Sequence, residues 1–178
     1  MKINRMATIA LPAAVLLALS APAVSIAQAA SSADKSFVKD AIEGGNAEVE
    51  LGQLAEQKGV SDDVKAFGKQ MIDDHTQLGE QMKVVAGQIG VTPPKTMSAT
   101  DKALELKLKV LSTDDFDQAY IKAMMKDHEE DLAAFQKESS EGSSPAVKQA
   151  AAKGQQVIAS HLAMIRQIAQ AHNINLGS

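Results

Sequence analysis

Three histidines and one glutamate lie at inward positions of apolar helical stripes, where they could bind a metal ion. His75, His128 and His161 each interrupt a series of apolar residues spaced three or four apart, and Glu48 does the same nearer the N-terminus. The series around His75 consists of Val64, Phe67, Met71, Leu78, Met82, Val85 and Ile89. Imidazole and carboxylate groups bind Zn(II), Cu(II) and Fe(II). The pattern therefore predicts one transition metal ion held by Glu48, His75, His128 and His161.

Carboxylates close to these histidines in sequence could support such a site. A metal-bound imidazole usually donates its other N–H to a carboxylate or a carbonyl. Asp74 is predicted to orient His75 in this way, and Glu129 and Asp131 are further candidates beside His128. His172 lies near the chain end and has no predicted role in the site.

The same histidines also have a structural interpretation without any metal. A buried histidine is commonly held by hydrogen bonds to its neighbours, and a group of them can specify packing or titrate with pH. Five methionines in the predicted helices make Cu(I) a further candidate ion, because thioether sulfur binds Cu(I). Methionine also serves as a flexible core residue. The five methionines are Met71, Met82, Met124, Met125 and Met164.

Several classes of active site are excluded or lack support. The chain has no cysteine, which removes thiolate metal centres, disulfides and cysteine nucleophiles. It has no catalytic serine arrangement, phosphate-binding loop or dinucleotide motif, so we predict no catalytic and no organic cofactor-binding residues. A di-iron site of the ferritin type needs Glu three residues before His on two helices. Ile72, Met125 and Ile158 occupy those places.

Four long amphipathic segments predict the helices that position these side chains. They cover about residues 36–58, 61–89, 112–139 and 144–171, with a short helix near residues 101–110 in the long connection. Gly59 is expected to end the first helix in a left-handed conformation. Ser61 is expected to cap the second helix, Ser112 with Asp115 the third, and Ser144 before Pro145 the fourth. The layout predicts an all-α fold, a ferritin-like antiparallel four-helix bundle with a long crossover between helices 2 and 3.

The first 29 residues have the pattern of a secretory signal peptide. Lys2 and Arg5 precede the apolar residues 7–23, and Ala27-Gln28-Ala29 is a small-x-small cleavage pattern. Residues 30–178 would form the bundle domain, with no transmembrane span after cleavage. We therefore expect a periplasmic or secreted protein, with peripheral association with the outer membrane as a further option. An uncleaved membrane anchor is the alternative.

The charge balance argues against nucleic acid as a partner. Lys and Arg number 18 against 22 for Asp and Glu, and the isoelectric point is near 5.5. A protein that neutralises phosphates needs a basic excess. A homo-oligomer or another envelope protein is the expected protein partner, by analogy with related bundles.

The motifs as a group resemble those of the exported domain of unknown function 4142 family. Residues 46–51 (Asn-Ala-Glu-Val-Glu-Leu), 71–75 (Met-Ile-Asp-Asp-His) and 116–121 (Phe-Asp-Gln-Ala-Tyr-Ile) carry the resemblance, together with His128 and His161. The resemblance implies an exported ferritin-like bundle without a settled activity. The family motifs match this chain at Glu48, Asp74, His75, His128 and His161.

These observations lead to two functional hypotheses. The favoured one is a metal-binding envelope protein that serves metal homeostasis or the stress response, with no positive evidence that it is an enzyme. The alternative is a non-catalytic stress or scaffold protein whose core histidines are structural.

Overall fold

The computed structural model describes residues 29–174, which form five α-helices and no β-strand. The helices are α1 (Ser32–Lys58), α2 (Asp62–Gln88), α3 (Ala99–Val110), α4 (Thr113–Glu141) and α5 (Pro145–Ala171). The prediction of an all-helical chain is confirmed. The predicted signal peptide lies outside the described residues except for Ala29, as do residues 175–178. None of the described helices is long and apolar enough to cross a membrane.

The four long helices pack as two hairpins. α1 packs mainly against α2, and α4 mainly against α5, while α2 also contacts α5. α3 lies in the connection between the hairpins and contacts α1 and α4. The arrangement brings one face of each long helix to a shared interior.

Serine side chains cap the N-termini of three helices. Ser31 and Asp34 form a reciprocal capping box, so α1 begins four residues before the predicted start at Ser36. Ser112 accepts a hydrogen bond from the backbone N–H of Asp115, as predicted, and Ser98 caps α3 in the same way. Pro145 occupies the first turn of α5, as expected.

Two predicted helix ends differ from the structure. Gly59 has a φ of −53°, not a left-handed one. A side chain there would come within 2.6 Å of the Ala55 carbonyl oxygen, so close packing and not backbone conformation requires glycine. Ser61 precedes α2, but its hydroxyl donates to Asp117 Oδ2 at 2.7 Å and makes no cap bond. Asp117 lies 56 residues later, on α4, so the sequence around Ser61 does not indicate this contact.

The apolar core is divided into two clusters. The first contains residues such as Leu51, Met71, Tyr120 and Ile165, and the second contains Ile42, Met82, Phe135 and Ile158. In α2, α4 and α5 the chain passes from one cluster to the other at His75, His128 and His161, respectively, and in α1 at Glu48. A layer of polar side chains therefore crosses the interior between the two clusters.

Two glycines allow α1 and α2 to approach closely next to this layer. A Cβ atom added to Gly68 would lie 2.7 Å from the Gly52 carbonyl oxygen and 2.8 Å from Ala55 Cβ. Gly52 is one turn after Glu48, and Gly68 is two turns before His75. The close contact therefore sets the separation of the helices that carry Glu48 and His75.

Gly68→Ala should lower the free energy of unfolding by about 1–3 kcal/mol, because the backbone contact cannot relax as a flexible side chain would. Gly79→Ala is the matched control on the same helix, since a Cβ atom there meets nothing within 4 Å. The control should be neutral or raise the free energy by about 0.5–1 kcal/mol. Urea denaturation measures both, and equal effects of the two substitutions would contradict the close contact.

A second constraint fixes the start of α1 against the turn between α4 and α5. Asp34, fully buried, accepts hydrogen bonds from the backbone N–H groups of Ser143 at 2.8 Å and Ser144 at 3.2 Å. Burial raises the pKa of Asp34, but hydrogen bonds from Glu138, Ser31 and Ser143 outweigh it and lower the pKa to about 2. Burial and the contact with Asp34 raise the pKa of Glu138 to about 7. The two carboxyl groups therefore share one proton below about pH 7 and lose it as the pH rises further.

Glu138→Gln should become more stable relative to the wild type as the pH rises from 5 to 8. Because the folded-state pKa of about 7 exceeds the ordinary 4.5, the stabilisation by the Glu138 proton is complete below pH 4.5 and is lost as the pH rises through 7. The glutamine keeps a hydrogen-bond donor at every pH. Urea denaturation at several pH values measures the difference, with the exposed Glu141→Gln as control. Parallel pH profiles of wild type and Glu138→Gln would contradict the shared proton.

Candidate metal centre

The four predicted site residues meet in the polar layer, one from each long helix. Glu48 is 1% exposed, His75 2%, and His128 and His161 are fully buried. The ring centroids of the three histidines form a triangle with sides of 5.1, 5.5 and 5.8 Å. The ring of Phe67 lies 6.1 Å from His161 and 6.3 Å from His128, which adds an apolar wall.

A chain of contacts runs from Glu48 through two histidines to Asp74. Glu48 Oε2 lies 2.7 Å from His75 Nδ1, a short contact without hydrogen-bond alignment. His75 Nε2 and His161 Nδ1 are 3.2 Å apart, and His161 Nε2 donates to Asp74 Oδ2 at 2.8 Å. Asp74 Oδ2 also accepts a hydrogen bond from Gln70 Nε2 at 2.6 Å. Asp74 is partly exposed, so the chain leads from the interior to the surface.

His128 has one paired and one unpaired ring nitrogen. Its Nδ1–H donates to the carbonyl oxygen of Met124 at 2.9 Å, so in the neutral ring Nε2 carries a lone pair. That nitrogen is 3.5 Å from Glu48 Oε1, and neither of these two atoms has a hydrogen-bond partner. Buried polar atoms without a partner are uncommon and destabilising, so this pair requires an explanation.

The neighbours also determine where the hydrogens lie in the metal-free site. His161 donates from Nε2 to Asp74, so its Nδ1 accepts the hydrogen of His75 Nε2. His75 Nδ1 then carries a lone pair and faces Glu48, which must be protonated to approach it at 2.7 Å without repulsion. Burial raises the pKa of Glu48 well above its ordinary value, and the charges of Asp127 and Asp101 add to this. The neutral carboxyl agrees with the contact.

Burial keeps the imidazoles in the neutral form that binds metals. It lowers the pKa of His75 to about 4, against the opposing charges of Asp131, Asp127 and Asp74. It lowers the pKa of His128 to about 3, and the other two histidines add to the effect. The pKa of His161 is also lowered by burial. At neutral pH the three rings are therefore uncharged, and no imidazolium has to form or be neutralised before a metal ion binds.

The histidine geometry fits a metal ion. One nitrogen from each of His75, His128 and His161 lies within 4.8 Å of the other two. With metal–nitrogen bonds of about 2.0–2.1 Å, two tetrahedral ligands are about 3.3 Å apart, and His75 Nε2 and His161 Nδ1 are separated by 3.2 Å. The remaining ring nitrogens contact Glu48, Asp74 and the Met124 carbonyl, which are the kinds of groups that orient metal-bound histidines.

Two carboxylates that were predicted to lie beside His75 and His128 make other contacts in the structure. Asp74 was expected beside His75 but contacts His161, because consecutive residues of a helix point about 100° apart. Glu129 pairs with Arg166 at the surface, 2.8 Å away. His172 lies 3.0 Å from Asp63, away from the layer, as expected.

Two residues near the layer, Asp127 and Tyr120, were missed, whereas Asp131 was among the predicted candidates. Asp127 and Asp131 are partly buried, and burial followed by neighbouring acidic groups raises their pKa values to about 6 and about 8. Tyr120 is fully buried, its hydroxyl has no hydrogen-bond partner, and burial and the charge of Glu48 raise its pKa. The spacing of Tyr120, Met124, Asp127 and Asp131 is helical and could have indicated a second inward stripe on α4.

A cavity of about 720 Å³ reaches the layer from outside. It lies between α1, α2 and the start of α3, and His75 and Asn46 are among its lining residues. Gly45 and Gly79 also line it, and a Cβ atom at either position would meet nothing within 4 Å. The cavity therefore offers an ion or a small ligand a route towards His75.

Comparisons with known proteins give a family and a solved structure of similar fold, and neither names an activity. A family described as "Domain of unknown function (DUF4142)" matches residues 19–168. A crystal structure of a DUF305 fragment from Deinococcus radiodurans superposes with a TM-score of 0.67 at 15% identity, over 80% of this chain and 97% of that one. No curated protein matches the sequence. The structural likeness concerns the fold alone.

Lowering the pH should destabilise the folded, metal-free protein, because His128 stays neutral in the folded state. Its folded-state pKa of about 3 lies below the ordinary 6.5, so the unfolded chain takes up a proton first as the pH falls. The wild type should therefore lose up to about 1.4 kcal/mol per pH unit relative to His128→Gln between pH 6 and 4. Denaturant titrations measure this difference, with His172→Gln as control. A constant difference across that range would show that folded His128 titrates normally.

Proposed function

Since the chain belongs to the domain of unknown function 4142 family, whose description names no activity, we propose its function from the buried layer: the protein binds one transition metal ion, Zn(II), Cu(II) or Fe(II), at His75, His128 and His161 beside Glu48. The observation that carries this proposal is the convergence of three neutral imidazoles from three helices on one point in the interior. The unpaired Nε2 of His128 supports it, because a bound cation would satisfy that lone pair.

The charges around the three histidines also favour a divalent ion. Two positive charges in an apolar interior are costly unless anionic groups lie close by. The carboxylates of Glu48 and Asp74 each contact one of the three imidazoles and together balance a divalent charge. Binding requires lone pairs on both His75 Nε2 and His161 Nδ1, so the hydrogen between them must leave. Glu48 then gives its proton to His75 Nδ1, and each ion releases about one proton.

The cellular role that we propose follows from the sequence. A ferritin-like four-helix bundle with an N-terminal signal peptide would act in the periplasm or outside the cell, in metal homeostasis or envelope stress. Residues 1–29 would be removed, and residues 30–178 would form the binding domain. We assign no catalytic residue, because the sequence carries no catalytic motif. The second candidate function is a structural or scaffold protein, which the continuous chain from Glu48 to Asp74 favours, since those four residues can pair without a metal.

Elemental analysis of the untagged protein isolated from its native compartment distinguishes the two functions. We expect about one equivalent of Zn, Cu or Fe in the wild type and in His172→Gln, whose histidine lies outside the layer. His128→Gln should lose most of the metal, since a ligand is removed while a polar group of similar size stays. Calorimetry in buffers of different ionisation enthalpy should show about one proton released per ion.

Two results would contradict metal binding as we propose it. Wild type without metal, with no rise in melting temperature on addition of Zn(II), Cu(II) or Fe(II), would assign the histidines to packing. Metal retained in full by His128→Gln would contradict the ligand set proposed for the ion.

A further inference from the structure

We infer that Glu48, Asp127 and His128 form a second, oxygen-rich position for a divalent cation, which shares His128 with the three-histidine position. The inference deepens the proposed function, because it states which ions the layer accepts and where each ion binds. Asp127 thereby becomes a ligand residue, a role that the sequence analysis did not assign to it.

The first observation is geometric. One ligand atom from each of Glu48, Asp127 and His128 lies within 4.8 Å of the other two. The same holds for His75, His128 and His161, so the two sets have only His128 in common. The carboxylates of α1 and α4 therefore form one set of ligands around His128, and the imidazoles of α2 and α5 form the other.

The second observation is a pair of buried acceptor atoms that face each other. Glu48 Oε1 and His128 Nε2 are 3.5 Å apart, and neither has a hydrogen-bond partner. His128 Nε2 carries no hydrogen, because the hydrogen of the neutral ring is on Nδ1 and is donated to Met124. Two lone pairs in contact repel each other in a medium of low dielectric constant. A cation bonded to both atoms turns this repulsion into attraction.

The charges at the second position also suit a divalent cation. Glu48 and Asp127 supply two negative charges when ionised, so binding of the ion releases the Glu48 proton to solvent. The two charges balance the ion, and His128 is neutral. Oxygen ligands favour harder ions such as Mn(II), whereas imidazoles favour Zn(II) and Cu(II). The two positions therefore select different metals.

Sharing of His128 makes the two positions mutually exclusive. An unprotonated imidazole nitrogen has one lone pair and binds one metal ion. Glu48 is shared as well, since its other oxygen contacts His75 in the histidine position. The protein therefore binds one ion at a time, and Zn(II) displaces Mn(II) although their ligand sets differ.

Titration of the metal-free protein with Mn(II) alone and with Zn(II) alone tests this arrangement. Asp127→Asn should weaken Mn(II) binding at least tenfold and change Zn(II) binding less than threefold. His161→Gln should do the reverse. Glu130→Gln, an exposed acid on the same helix that pairs with Lys126, is the control for the change in net charge and should leave both affinities unchanged.

The outcomes separate this inference from the proposed function. Loss of Zn(II) binding in His161→Gln, with Mn(II) binding in Asp127→Asn equal to that of the control, would overturn the second position and leave the histidine position intact. Loss of Mn(II) binding in Asp127→Asn, with Zn(II) binding unchanged in His161→Gln, would overturn the histidine position alone. Simultaneous binding of one Mn(II) and one Zn(II) would contradict the sharing of His128.

Pulsed electron paramagnetic resonance of the Mn(II) complex provides a test in the unsubstituted protein, which does not depend on the folding of any variant. Coupling of Mn(II) to the nitrogen of a single imidazole is the expected result, because only His128 belongs to the oxygen-rich position. Coupling to three imidazoles would place Mn(II) among the histidines and overturn the inference.

Discussion

The need to satisfy polar side chains in a buried, apolar interior governs the middle of this structure. Glu48, His75, His128 and His161 lie between two apolar clusters, where each uncompensated donor or acceptor is costly. The contacts with Asp74 and the Met124 carbonyl reduce that cost, and they also determine which nitrogens keep their lone pairs. Helix placement, protonation and affinity for cations are therefore consequences of one requirement, and a substitution at any of these positions changes all three.

Much of the fold could be predicted from the sequence because it depends on local patterns. Apolar spacing located the four long helices, and the Ser112 and Pro145 signals located two of their starts. The same spacing placed His75, His128 and His161 in the interior, because a residue inside an apolar stripe shares its direction. The capping box at Ser31 was missed, although its serine and aspartate are the usual residue types.

The contacts among the site residues could not be predicted in the same way. Which carboxylate meets which imidazole depends on how the helices rotate and how closely they approach. The approach of α1 to α2 depends on Gly52 and Gly68, which leave no mark on the apolar periodicity. This is why the contact between Asp74 and His161, which lie on different helices, was not predicted. The DUF305 fragment, at 15% identity, is similar to this chain in its helical architecture. The site instead depends on the side chains of this chain.

The division of the apolar core has a consequence for the cooperativity of the molecule. Each cluster receives side chains from both hairpins, and the polar layer lies where the two clusters adjoin. Hydrogen bonds and metal–ligand bonds are directional, whereas apolar contacts tolerate small shifts. The polar layer therefore limits sliding of the helices past one another along their axes. A cation shared by side chains from different helices would limit this sliding further and would couple the opening of one end to the opening of the other.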